Sequence, residues 1–295
     1  MKNKVIVVVG PTAVGKTKIA IELAKYLNID IISGDSIAVF KRLDIGSAKP
    51  TIEEMDGVKH HLIDIKEPNE DYSVADFQRD ARSIIDKNEL NLICGGTGLY
   101  IQSVIFDYKF EAKKRDDEIK DLYSNLSNEE LFKLLLEKDP NIDTNKIHQN
   151  NRKRVLRAIE IYLESGKRKS DIIAEQEHKL LYDVKFIGLS RESRDELYSL
   201  IDKRVLKMFE EGLLDEVKSL IDRHDPSLRA FQAIGYKEII EGLKNNETLD
   251  NIISLIQKNT RNYAKRQYTY FRNQLPVNWF NSKEEAYNFM EENGG

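Results

Sequence analysis

The sequence predicts an α/β fold: a parallel sheet flanked by helices, interrupted by an all-helical insertion domain. Three observations predict it. Over roughly the first hundred residues, short β-branched runs alternate with helical patterns, the signature of βαβ units and a parallel sheet. Between about Lys109 and Asp183 the strand pattern disappears and charged helical patterns replace it. A strand-like run, Val184–Leu189 (VKFIGL), then opens a stretch of long helical patterns. The chain therefore divides into a core domain, 1–108 and 184–295, and a helical insertion domain, 109–183.

The elements follow in order. Val5–Val9 (VIVVV) is a buried strand, Lys16–Leu27 a helix and Ile29–Ile32 a second strand. His60-His61 precedes a short apolar strand, Leu62–Ile65. Ser73–Asp86 is a helix opened by a capping box, Ser73 with Asp76 three residues on, and Leu90–Cys94 is the next strand. In the insertion, Ser127-Asn128-Glu129-Glu130 is a second capping box ahead of an apolar-periodic stretch. After Val184–Leu189 come helices over Asp195–Phe209, Leu213–Ile221, Tyr236–Leu243 and Thr248–Arg272.

Composition limits the function classes. With 295 residues, 40% hydrophobic, 33% charged, 15 Gly and 6 Pro, the chain is neither collagen-like nor disordered. A single cysteine, Cys94, can form no internal disulfide and no cysteine-based zinc site, which fits a reducing cytoplasm. The longest apolar run falls far short of the roughly 20 residues of a membrane span, and Met1-Lys2-Asn3-Lys4 leads into it without a cleavage site. No membrane association is expected, and no obligatory protein partner, so the chain is expected to act as a monomer. The formal net charge of −4 makes the whole molecule a poor attractor of nucleic acid, so any polyanion site must be local.

Gly10-Pro11-Thr12-Ala13-Val14-Gly15-Lys16-Thr17 fits G-x-x-x-x-G-K-[ST] between a strand and a helix, which makes the core P-loop NTPase-like. Glycines let backbone amides converge on phosphate oxygens, the helix N-terminus adds a positive dipole, Lys16 adds a charge, and the Thr17 hydroxyl can ligate Mg²⁺. ATP is the common occupant of such a loop, but any diphosphate fits the same amides. Taken alone, the loop supports a nucleotide or metabolite kinase.

Asp35, in Ser33-Gly34-Asp35-Ser36, follows a predicted strand, and ligands of such sheets sit outside the carboxyl ends of the strands. It is either a general base or Mg²⁺ partner, or a cap for the following segment; position alone does not decide. Cys94-Gly95-Gly96-Thr97-Gly98 repeats the pattern after another strand, with ligand loop and tight turn equally open. Adjacent His60 and His61 on a strand face opposite sides, which favours packing or hydrogen bonding over ligation of one metal.

Two basic regions stand out. Lys146–Ser170 holds eight Lys and Arg against Glu160 and Glu164, a local balance of +6; Arg154 and Arg157 share a helical face, with Leu156 and Ile159 turned toward a core. Thr260–Arg272 interleaves Arg261, Lys265, Arg266 and Arg272 with Tyr263, Tyr268, Tyr270 and Phe271. Such a mixture suits phosphates and unstacked bases, but equally a solvated face with core aromatics. A binding module without chemistry would leave Asp35 and both glycine loops idle.

Eight blocks, GPTAVGKT (10–17), SGDSIAVF (33–40), LDIGSAKP (43–50), GVKHHLID (57–64), YSVADF (72–77), GGTGLY (95–100), AIGYK (233–237) and TRNYAKRQYTYFR (260–272), resemble the bacterial tRNA dimethylallyltransferases, the isopentenyl-tRNA transferase family. The resemblance implies Mg²⁺-dependent transfer of a dimethylallyl group from dimethylallyl diphosphate to N6 of the adenosine 3′ of the anticodon in tRNA. Gly10–Thr17 would bind the diphosphate, or ATP, with Lys16 catalytic and Thr17 on the metal. It makes Asp35 the general base and Thr97 the loop threonine that approaches the target nucleotide. The tRNA anticodon stem-loop would meet Asp35, Ser36, Ile37, Ala38, Thr97, Lys120, Lys153, Arg154, Val155, Leu156, Arg157, Gln232, Gly235, Tyr236 and Lys237. Three departures stand against the family pattern: Ala38 where Gln is usual, Phe40 where Tyr is usual, and Asn150-Asn151-Arg152 in place of Pro-Asn-Asp.

Overall fold

The structure is a computed structural model that describes residues 2–110 and 122–292; Lys120 lies outside the described residues. It divides into two compact units, Met1–Ile105 with Leu180–Gly295, and Phe106–Lys179.

The first unit is built on a six-stranded, all-parallel sheet: β1 (Lys4–Val9), β2 (Ile31–Ser33), β3 (His60–His61), β4 (Leu90–Cys94), β5 (Asp183–Leu189) and β6 (Asn278–Phe280), in the order β3-β2-β4-β1-β5-β6. Central β1 pairs with β4 and β5, Val7 lying opposite Ile93 on one side and Phe186 on the other. Both faces of a parallel sheet are covered by helices, which is why Val5–Val9 is one continuous apolar run and wholly buried. Helix α1 (Lys16–Leu27) packs Ile19, Leu23 and Ala24 onto Ile6, Val8, Ile31, Leu92 and Ile187. It ends at Asn28 in the left-handed conformation, φ 51°.

Helix α2 (Ile52–Met55) is a single turn with a Thr51–Glu54 capping box. Helix α3 (Val74–Ile85) carries the expected box: Ser73 accepts from Asp76 N, and the Asp76 carboxylate accepts from Ser73 N. Helix α4 (Gly98–Ile105) follows β4.

Two expectations shift. Strand β2 begins at Ile31 rather than Ile29, because Ile29 N still donates to Ala24 O at the end of α1. The third strand lies on His60–His61 and not on Leu62–Ile65: Leu62 (φ 63°) and Asp64 (φ 54°) take left-handed conformations, which break an extended run.

The second unit is helical among its described residues: α5 (Asn128–Lys138), α6 (Arg152–Ser165) and α7 (Lys169–Ala174). Its core joins Leu131 and Leu135 of α5, Ile142 and Ile147, and Val155, Leu156, Ala158 and Ile159 of α6. The Ser127–Glu130 capping box opens α5, and Asn151 caps α6 by accepting from Arg154 N.

The chain then re-enters the sheet at β5 and runs through α8 (Arg194–Glu210), α9 (Leu213–Ile221), α10 (Tyr236–Lys244) and α11 (Leu249–Gln274). Strand β6 and α12 (Lys283–Glu292) close the sheet edge, with Ala286 and Met290 of α12 in the core.

Candidate active site

The phosphate loop forms where β1 runs into α1. Gly10 has φ 147°, and a Cβ there would lie 2.4 Å from the Leu189 carbonyl oxygen, so only glycine lets the ends of β1 and β5 approach. Ala13 is left-handed at φ 68°, a strained conformation for a residue with a Cβ, and Val14 is buried beneath the loop. Thr17 is exposed. Lys16 Nζ donates to Pro11 O at 2.7 Å. Burial, with Arg204 adding to it, pushes the Lys16 ammonium down to about 8 against the opposing pull of Cys94 and Asp35. The Cys94 thiol is pushed up to about 11 by burial.

The Asp35 and Thr97 loops pair with each other. Gly34 N donates to Cys94 O at 2.8 Å and Thr97 N to Gly34 O at 3.2 Å. A Cβ on Gly95 would lie 2.4 Å from the Gly34 carbonyl, so this contact needs the glycine. Asp35 Oδ1 accepts from Ile37 N (2.8 Å) and Ala38 N (3.3 Å), while among the described residues Oδ2 takes no hydrogen bond. One carboxylate oxygen thus caps the following turn and the other is left without a hydrogen bond among the described residues. Thr97 Oγ1 accepts from Ser36 N at 3.1 Å, which ties the two loops beside Asp35.

Both loops open onto a cavity of about 410 Å³ at the carboxyl ends of the strands. Its charged lining among the described residues is Lys16, Lys49, Arg204 and Arg266 against one carboxylate, Asp35. Arg204, on α8, carries no local sequence signal; its Nη1 donates to Thr12 Oγ1 at 3.2 Å, and burial pulls its guanidinium down while Asp35 opposes. Lys49 is committed to Phe40 O at 2.9 Å and to Asp44 and Asp64 at 2.5 Å each.

The 43–50 wall is held from behind. Glu216 accepts from the amides of Asp44, Ile45 and Gly46 and from the Tyr236 hydroxyl at 2.7 Å. Tyr236 is fully buried against Gly46, and burial beside Glu216 pushes its phenol far up. Its side chain anchors the wall. Gln232 and Gly235 line the cavity, whereas Lys237 points outward and pairs with Glu241 at 3.6 Å.

In the insertion domain Lys153 and Arg154 are exposed. Val155 and Leu156 are buried in the domain's apolar core, where their side chains pack. Arg157 donates to Glu160 at 3.0 Å and lies 3.9 Å from Glu164. Of the aromatic-basic run, Thr260, Tyr263, Arg266 and Gln267 line the cavity. Phe271 is core, Tyr268 packs on Trp279, and Tyr270 lies against Gly98 and bonds Gln102.

Ala38 and Phe40 are both buried, Ala38 in the cavity wall. His60 lines the cavity, its Nδ1 bonding Val58 O at 2.9 Å and its buried Nε2 taking no partner among the described residues, while His61 Nε2 bonds Asp30 at 2.8 Å. No group of three His, Cys, Asp or Glu among the described residues could hold a metal.

A phosphate ligand favours charged Lys16, so binding of a diphosphate ester, whose own last proton leaves near pH about 6, should be level between neutrality and pH about 8 and weaken above it. The expected slope is up to about tenfold per pH unit. Calorimetric titration across pH 6–10 checks this; an affinity flat through pH 10 would contradict it.

Fold and site together define an α/β protein of P-loop-like architecture with a carboxylate facing a cationic cavity of about 410 Å³. Residues 38–274 match the family model described as IPP transferase. The tRNA dimethylallyltransferase of Anoxybacillus flavithermus is 48% identical over 290 residues, 97% of this chain and 93% of that relative. That of Bacillus mycoides is 46% identical over 287 residues, 95% of this chain and 90% of its own. The tRNA isopentenylpyrophosphate transferase from Bacillus halodurans superposes with a TM-score of 0.72 at 42% identity, covering 99% of this chain and 96% of that one. A eukaryotic dimethylallyltransferase acting on tRNA superposes with a TM-score of 0.82 at 27% identity, covering 99% and 80%. The chain belongs to the IPP transferase family.

Proposed function

We propose that the protein transfers a dimethylallyl group from dimethylallyl diphosphate to N6 of the adenosine 3′ of the anticodon in tRNA, releasing diphosphate. The observation that carries it is Asp35: the cavity's single carboxylate among the described residues, with Oδ2 unbonded, beside a phosphate loop. The allylic C–O bond breaks and its electron pair leaves with the diphosphate, while the adenosine amine forms the new C–N bond and gives its proton to Asp35. Loop amides, Lys16 and Arg204 stabilise charge that grows as the bond breaks, which lowers the barrier rather than merely binding substrate. Thr97, bonded to Ser36, shapes the place of the target nucleotide.

Mg²⁺ suits this donor set, since the Thr17 hydroxyl, water and diphosphate oxygens supply the hard ligands it prefers, with Asp35 near. Bound there, it would neutralise charge on the leaving group.

The target base stacks in the anticodon loop and must be drawn out into the cavity. Exposed Lys153 and Arg154 supply phosphate attraction that is sensitive to salt. No helix among the described residues is long and apolar enough to cross a membrane, and a lone cysteine agrees with action in the cytoplasm.

The test is transfer of radiolabel from dimethylallyl diphosphate, with Mg²⁺, to an anticodon stem-loop carrying consecutive adenosines. Label on the adenosine 3′ of the anticodon is expected. No incorporation, or turnover of ATP instead, would contradict the proposal.

A further inference from the structure

Helix α11 carries a side chain that touches both glycine loops. Gln267 is 6% exposed; its Oε1 accepts from Thr12 N at 2.9 Å and its Nε2 donates to Gly96 O at 2.9 Å. A Cβ on Gly96 would lie 2.3 Å from that Nε2, so the glycine makes room for the amide. At one end Thr12 is held a second time, through its hydroxyl, by Arg204. At the other, Gly96 adjoins Thr97, which takes the Ser36 amide next to Asp35. Tyr263, one turn earlier on α11, packs its phenol against Thr97 and Gln267; burial pushes it up to about 12, with those two neighbours opposing.

An amide group offers an acceptor and a donor in one plane, so a single buried side chain can join Thr12 to Gly96 beyond the point where the sheet ends, the last backbone bond between the two segments among the described residues being Gly95 N to Val8 O at 3.2 Å. The sheet sets the spacing of the two strand ends but not of the loop residues beyond them, and reaction rates fall steeply when reacting atoms are misplaced by about 1 Å.

Building on the transfer reading above, we propose that Gln267 is a positioning residue that fixes the span between the departing diphosphate and the attacking amine by bracing Thr12 against Gly96. It acts through backbone groups of both loops. Its removal therefore leaves the phosphate-binding amides, Lys16 and the Asp35 carboxylate in place but loosens their mutual geometry.

The experiment compares steady-state transfer by the parental protein, Gln267→Leu and Gln267→Glu, with thermal unfolding of each. Leucine keeps most of the volume and neither bond; glutamate keeps the acceptor for Thr12 N but opposes Gly96 O. The expected result is a fall in kcat of roughly 30-fold for Gln267→Leu, with KM for either substrate moving less than about threefold. Gln267→Glu should also lose kcat, and it decides the matter if the leucine variant does not fold. A folded variant with parental kcat, or one whose loss lies wholly in KM, would overturn the positioning role while leaving the transfer reading intact. A parental protein unable to transfer the group would overturn both.

Discussion

Asp35→Asn is expected to lower kcat for prenyl transfer by about 10²–10⁴-fold while RNA and diphosphate binding persist. Asparagine is the informative replacement because Asp35 does two things. Oδ1 caps the amides of Ile37 and Ala38, and an asparagine oxygen can keep both bonds, whereas an alanine would release the turn as well. What the amide cannot do is accept a proton from the adenosine amine. The Asp35 charge also helps hold Lys16 up, so its loss moves Lys16 further down, and the assay belongs near pH 7 or below, where the ammonium stays charged. Parental turnover by a folded Asp35→Asn variant would remove the carboxylate from the chemistry.

Arg204→Ala is expected to lower kcat by about 10²–10³-fold and to weaken diphosphate binding as well. The guanidinium lies in the cavity wall, bonds Thr12 Oγ1, and on the transfer proposal would meet the negative charge that accumulates on the leaving group. Its burial is tolerable because Asp35 faces it. Arg204→Lys should recover only part of the loss, since a single ammonium cannot reproduce the planar fork that serves Thr12 and a phosphate together. Rates and diphosphate affinities of the two variants check this; parental kcat in Arg204→Ala would limit the residue to a structural part.

The elements that were legible in the sequence are those with strong local signals. Val5–Val9, the G-x-x-x-x-G-K-T loop and the Ser73 and Ser127 capping boxes each encode their conformation within a few residues, and the structure follows them closely. Strand β6 and α12 were not legible, because three edge residues, Asn278–Phe280, have no period to show and α12 buries little more than Ala286 and Met290. The β3 misplacement has the same root. Leu62–Ile65 is apolar enough for a strand, and nothing local announces left-handed backbone at Leu62 and Asp64.

The site divides similarly. Residues on the loops after strands could be found because topology alone brings them to one edge. Arg204, Glu216 and Gln267 arrive from helices more than a hundred residues downstream of those loops, on faces whose periodicity reads as ordinary amphipathic helix, so only the packed structure reveals them. In the aromatic-basic run the sequence offered two readings, and packing separates them residue by residue: Phe271 is core, while Tyr263 and Arg266 reach the cavity.

The central claim is that one loop grips the leaving diphosphate while Asp35 faces the nucleophile, and a crystal structure with Mg²⁺ and a non-reactive thiodiphosphate analogue of the prenyl donor tests it most directly. The diphosphate should rest on the amides of Ala13–Thr17 with Lys16 drawn off Pro11 O onto it, its allylic carbon turned toward Asp35 Oδ2. A diphosphate bound elsewhere, or an Asp35 carboxylate turned away from the allylic carbon, would contradict the account.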